Sequence, residues 1–162
     1  MDKNDMLKES VFSLIGDRWM LVAATDKNGK TNAMTASWGG MGVLWGKKVA
    51  FVFIRPQRYT KRFVDEAAKF TLSFFDDSYK NMLGYMGKVS GKDEDKIAKS
   101  GLTVTDRNGA PVFKEASLTL VCKKMYRDTL KEENLIDKSI IEKWYPQKDY
   151  HDVYVAEIVE EL

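Results

Sequence analysis

With 162 residues the chain has room for one ordinary domain, 1–162, and not for two catalytic domains and a linker; its 44% hydrophobic and 31% charged residues argue against disorder. Its 26 Lys and Arg against 24 Asp and Glu leave a net charge of +2, too weak a field for general nucleic-acid binding, so any anion site must be local. One cysteine, Cys122, and one histidine, His151, rule out an intrachain disulfide and a four-ligand zinc site.

The first ten residues mix charges without the apolar stretch of a signal peptide, and no run approaches the roughly 18 apolar residues of a membrane helix. A cytoplasmic protein with no membrane partner is expected. The apolar run Trp19 to Ala24 reads as a strand, and Asn28-Gly29 predicts a type I′ turn returning along Thr31 to Trp38. That returning arm is small and polar. It enters Gly39, Gly40 and Gly42, which permit a bend or a close approach to the backbone. Lys47 to Ile54 is the clearest strand, stopped at Arg55-Pro56. Thr60 is the expected N-cap of a short helix bearing Phe63, Val64 and Ala67 on one stripe.

Phe70 to Phe75 predicts another strand, followed by short helices over Tyr79 to Met86 and from Asp93 to Gly101. Asn108-Gly109 marks a turn, Ala116 to Tyr126 a long strand with Cys122 as an inert buried thiol, and Val153 to Val159 a closing strand. Between the last two, the charged segment Thr129 to Trp144 reads as partly helical. Six or so strands with short inserted helices predict a mainly β fold, a closed or nearly closed antiparallel barrel.

No G-x-G-x-x-G follows a strand, no P-loop is present, and no G-x-S-x-G elbow accompanies His151. Three loop-end features remain. Arg55 and Arg58 bracket Pro56 ahead of Tyr59, Thr60 and a helix start, a set suited to a phosphate dianion; a solvated basic turn accounts for it as well. Ser90-Gly91-Lys92-Asp93 is a small, singly basic loop before a helix, a second candidate whose plainer reading is an ordinary helix cap. The strand Asn32 to Trp38, running into glycines, suits a flat heteroaromatic ligand, or simply a strand crossing to solvent. His151 titrates near neutrality when unperturbed and is a candidate donor to a ligand.

Taken together, N-A-M-T-A-S-W-G-G at Asn32 to Gly40, R-P-Q-R-Y-T at Arg55 to Thr60, F-T-L-S-F-F at Phe70 to Phe75, S-G-K-D-E-D-K at Ser90 to Lys96, G-L-T at Gly101 to Thr103 and H-D-V-Y-V-A-E-I at His151 to Ile158 resemble the flavin reductase-like FMN-binding family, and within it the flavoredoxin-like branch. The resemblance runs from about Leu14 to Ile158. It implies an FMN-binding split β-barrel, antiparallel and of Greek-key type, usually a homodimer with the flavin near the subunit interface. By the same likeness Asn32, Met34, Thr35, Ala36, Ser37 and Trp38 line the isoalloxazine and ribityl chain. Arg55, Arg58, Tyr59, Thr60 and Lys92 hold the phosphate, and His151 lies beside flavin and nicotinamide. Ala156 departs from the pattern, standing where relatives often carry Gly.

The implied function moves reducing equivalents from NADH or NADPH through FMN to a flavin or a redox protein. An FMN electron carrier without NAD(P)H turnover is the alternative. A third reading, a barrel that binds single-stranded nucleic acid, rests on Arg55, Arg58, Lys61 and Arg62 lying near Phe51, Phe53, Tyr59 and Phe63.

Overall fold

A computed structural model describes residues 1–162. The N-terminus, for which the sequence predicts no element, forms helix α1 (Lys3–Lys8), capped by Asp2, and a π-helical turn over Phe12–Asp17. Strands β1 (Met20–Thr25) and β2 (Thr31–Ala36) form the expected hairpin. Its turn differs from expectation: Gly29 takes a positive φ of 81°, whereas Asn28 does not. The Asp26 carboxylate causes this, accepting bonds from the Asn28 and Lys30 amides, both at 2.9 Å, and so organising a wider loop.

Strand β3 (Gly39–Leu44) has no counterpart in the sequence reading, because three glycines mask its pattern. It pairs with β4 (Lys47–Ile54) across Trp45 and Gly46, whose φ values of 51° and 71° are those of a type I′ turn. Helix α2 (Thr60–Glu66) begins one residue earlier than expected: Tyr59 occupies the cap without a side-chain bond, and Thr60 is the first helical residue. Strand β5 (Lys69–Phe74) and helix α3 (Lys80–Lys88) follow. Helix α4 (Lys96–Ser100) is capped by Asp95 rather than Asp93, and Gly101 closes it at φ 78° as predicted.

Strands β6 (Val104–Arg107) and β7 (Ala110–Phe113) are joined through Asn108 and Gly109, at φ 52° and 85°. Strand β8 (Leu118–Thr129), helix α5 (Ser139–Trp144) and strand β9 (Asp152–Glu161) complete the chain. No helix is long and apolar enough to cross a membrane.

Seven strands make one antiparallel sheet in the order β2-β1-β5-β8-β9-β4-β3, with β6-β7 as a separate ribbon. The two edge strands, β2 and β3, are consecutive in the chain and separated only by Ser37 and Trp38. So short a link brings the two edges together, and the sheet curls into a barrel split along that seam.

Two cores explain why β1 is apolar throughout. Met20, Val22 and Ala24 face the barrel interior with Phe70, Phe74, Phe63 and Tyr154, while Leu21 and Ala23 face outward against Phe75, Leu83, Met86 and Phe113. Each fully buried Phe or Leu contributes about 1.5–3 kcal/mol. Cys122 lies in the interior, where burial raises its thiol pKa far above the ordinary value and keeps it inert.

Candidate functional site

Strand β2 has a ladder partner on one side only, so part of its backbone polar edge is unpaired. Residues 32 to 38 cover on the order of 20 Å at ~3.3 Å per residue. Each end of that span meets a different chemistry.

At the first end Asn32 is buried, and its Nδ2 donates to Thr60 Oγ1 at 2.9 Å. The turn before α2 is thereby tied to the start of β2. The loop ahead of α4 closes over both, since a Cβ added to Gly91 would fall on the Asn32 amide. Beneath that loop Lys96 is only 2% exposed, and its Nζ donates to the carbonyls of Met86 (2.8 Å) and Val89 (2.9 Å). No carboxylate reaches it. Burial, and then the neighbouring Arg58, lower its pKa to about 8, so it remains charged at neutral pH.

Arg58 is in the same position: burial alone pulls its pKa below the usual value, with no acid opposing the shift. Together with Lys88, Ser90 and Thr60 these residues wall a cavity of about 180 Å³ that contains three cations and no carboxylate. Partly buried cations without counter-ions are costly, and an anion held between them removes the cost. A phosphate therefore fits this cavity on the chemistry of its own walls.

At the other end Trp38 is 44% exposed, its ring 5.0 Å from Trp144 and 5.4 Å from His151, centroid to centroid. His151 is buried, and its Nδ1 lies 2.6 Å from the Tyr145 hydroxyl. Burial, with Arg55 nearby, lowers its pKa to about 4. The expectation that it titrates near neutrality is therefore corrected: His151 is a neutral hydrogen-bonding group. An NMR titration of its ring should show no protonation between about pH 5.5 and 8, whereas a free imidazole has its midpoint near 6.5. A midpoint in that window would contradict the burial.

The basic turn of residues 55–60 divides. Arg58 faces the small cavity, but Arg55 points toward α5, paired with Asp149 at 2.8 Å and donating to the Trp144 carbonyl at 2.8 Å. Its guanidinium holds the segment that carries Trp144 beside Trp38. Lys92 is exposed and lines a larger neighbouring cavity instead of the small one. Tyr59 borders both. On β2 the Met34 side chain is buried in the barrel core, Ala36 packs against that core, and Thr35 spends its hydroxyl on the Leu83 carbonyl at 2.6 Å. Only the backbone of these three is left to face a ligand; Ser37 stays partly exposed. The Ala156 methyl points into the interior core, away from the His151 cluster.

Lys96 escaped the sequence reading. Its signal lies in the run S-G-K-D-E-D-K, of which the sequence singles out only the loop lysine, Lys92. With Asp95 accepting the Ala98 amide at 3.2 Å, the second lysine opens the helix and turns inward.

A model of the flavin reductase-like domain matches residues 12–160. The chain belongs to the flavin reductase-like family. Within it the chain falls on the flavoredoxin-like branch. A flavoredoxin from Methanosarcina acetivorans is 26% identical, over 90% of this chain and 67% of that one, with a TM-score of 0.68. A split-barrel protein from Shewanella frigidimarina superposes with a TM-score of 0.71 at 18% identity, over 99% of this chain and 77% of that one, which bears on the fold alone. An FMN-binding protein from Thermus thermophilus does so with a TM-score of 0.68 at 20% identity, over 89% and 70%. No curated protein matches the chain.

Proposed function

We propose that this family member binds FMN noncovalently and passes reducing equivalents through it, from NADH or NADPH to a flavin or a redox protein. The observation that carries the reading is the uncompensated pair Arg58 and Lys96 at one end of a free strand edge whose other end reaches Trp38 and His151. When bound, FMN supplies the redox chemistry, and no side-chain nucleophile is required.

The residues divide the binding work. Arg58, Lys96 and the Thr60 hydroxyl hold the phosphate; the β2 backbone and Ser37 face the ribityl chain and the polar rim of the ring; Trp38 covers a ring face. Neutral His151 orients a partner by hydrogen bonding without adding charge to the site. The Thermus relative, an FMN-binding protein, supports the cofactor assignment. The nucleic-acid reading loses ground, since Lys61 is paired with Asp65 and Asp152, and Arg62 with Asp26.

Titration of the purified protein with FMN, followed by visible absorbance and flavin fluorescence, tests this. A yellow complex is expected, and Arg58→Ala should weaken FMN by roughly 10–100-fold, the loss of a charge-assisted contact, with riboflavin little changed. A protein that stays colourless and takes up no FMN would overturn the reading.

The flavoredoxin relative favours a second reading, an electron carrier without NAD(P)H turnover. Anaerobic stopped-flow mixing with NADH or NADPH separates the two by whether the flavin band bleaches with turnover. We also propose a cytoplasmic homodimer, supported by the exposed Val43 and Trp45 at the β3–β4 hairpin; sedimentation at monomer mass would exclude the dimer.

A further inference from the structure

At the Trp38 end of the strand edge, His151 and Tyr145 are 6% and 5% exposed, and the phenol oxygen stands 2.6 Å from His151 Nδ1. Which of the two gives the proton follows from what else each can reach. The Tyr145 hydroxyl has no other hydrogen-bond partner, and burial raises its pKa, so the phenol keeps a proton that must find an acceptor. Only a bare Nδ1 can take it. A hydrogen on Nδ1 would instead point at the phenol oxygen and leave a buried O–H without an acceptor. The neutral ring thus carries its single proton on Nε2.

Nε2 forms no hydrogen bond within the chain, yet it is not sealed, because the Tyr150 hydroxyl is the one buried side-chain polar atom without a partner. It opens outward within a cluster whose exposed rings are Trp38 and Trp144. Tyr145 itself has little freedom. The Arg55 guanidinium lies over its ring at 4.9 Å, the Tyr150 ring packs at 4.8 Å, and its backbone is tied to the Ile141 carbonyl and the Lys148 amide, both at 2.9 Å. Arg55 is fixed in turn by Asp149, to which Gln57 also donates at 2.7 Å. A side chain held this firmly can keep a second one in a single state.

We propose that Tyr145 is a positioning residue, whose hydroxyl fixes His151 in the Nε2–H form and makes it a hydrogen-bond donor to a carbonyl oxygen of the ligand at the Trp38 end. The proposal rests on the FMN reading. Two carbonyl sources meet the requirement of an acceptor atom there: the carboxamide of a nicotinamide and the carbonyl rim of the flavin ring. The opposite tautomer would present a lone pair to the same oxygen and repel it. Tyr145→Phe keeps the ring packing and removes that control.

The test uses the one histidine of the chain. In untagged, flavin-free protein labelled with nitrogen-15 histidine, NMR at neutral pH should find Nδ1 bare and Nε2 protonated, and Tyr145→Phe should give a mixture of the two neutral forms. In FMN-loaded protein the same substitution should weaken the affected ligand roughly threefold to tenfold, the worth of one neutral hydrogen bond. A loss confined to NADH or NADPH identifies the carboxamide as the acceptor, whereas equal losses for FMN and riboflavin identify the flavin rim. In a His151→Ala background Tyr145→Phe should add nothing, since Tyr145 acts through the imidazole. A proton on Nδ1 in the wild type, an unchanged tautomer or unchanged affinities in Tyr145→Phe, or the same loss in the His151→Ala background overturns the proposal and leaves the FMN reading standing. Failure of FMN itself to bind removes both.

Discussion

Replacing Lys96 by methionine should weaken FMN binding by roughly 100-fold and leave riboflavin affinity within about twofold. A charged partner to a phosphate contributes about 1.5–3 kcal/mol, and the buried setting of this one places it at the upper end of that range. Riboflavin lacks the phosphate and has nothing to lose at Lys96. The substitution also deletes a buried cation that has no acid partner, and it uncovers the Met86 and Val89 carbonyls. These effects oppose one another, each about 1–3 kcal/mol, so the melting temperature of the flavin-free protein should move little.

The pH dependence has a definite sign. Below pH 8 Lys96 carries its proton in both the folded and the unfolded chain. Between about 8 and the ordinary lysine value of 10.5 the flavin-free folded protein releases a proton that the unfolded chain keeps, so folding stability rises with pH in that window. FMN affinity falls over the same window, because the cation that grips the phosphate is being lost. Calorimetric titrations at about pH 7 and 9.5 check both statements. Equal losses for riboflavin and FMN in Lys96→Met would show that Lys96 supports the fold and does not hold the phosphate.

Gly39→Ala should destabilise the protein by about 3 kcal/mol, lowering the melting temperature by roughly 10 °C for a chain of this size. Gly39 has φ 155°, and a Cβ there would stand 2.7 Å from the Phe51 carbonyl oxygen and 3.2 Å from Met20 Cε. The carbonyl belongs to β4 and cannot retreat without opening the Gly39–Val52 register. Gly42→Ala is the matched control on the same strand: its added methyl meets only Phe51 Cε2, at 3.8 Å, and should cost under about 1 kcal/mol. Equal melting curves for the two variants would mean that the seam after Trp38 yields more easily than its geometry implies.

Some of this was open to a reader of residues. Strand β4 matches its predicted span because an unbroken β-branched and aromatic run ending at proline has few other outcomes. Asn108-Gly109 takes its turn for the same local reason, whereas Asn28-Gly29 does not, since Asp26 offers the neighbouring amides a better acceptor. Strand β3 stayed hidden because its pairing comes from β4, and its own glycines carry little preference.

Asn32 and Thr60, which the family likeness assigns to the flavin chain and to the phosphate, are joined by a hydrogen bond of 2.9 Å. That Arg55 turns to Asp149 while Arg58 is left without an acid was not visible, and neither was the burial of Lys96. By itself the sequence determined the β-rich class, most strands, and membership of a flavin-handling family, because propensity, turn chemistry and short motifs act over neighbouring residues. Only the tertiary structure decided which cations lack partners and where the barrel opens. A charge's compensation depends on groups brought together from distant segments, and no local pattern records which of them arrive.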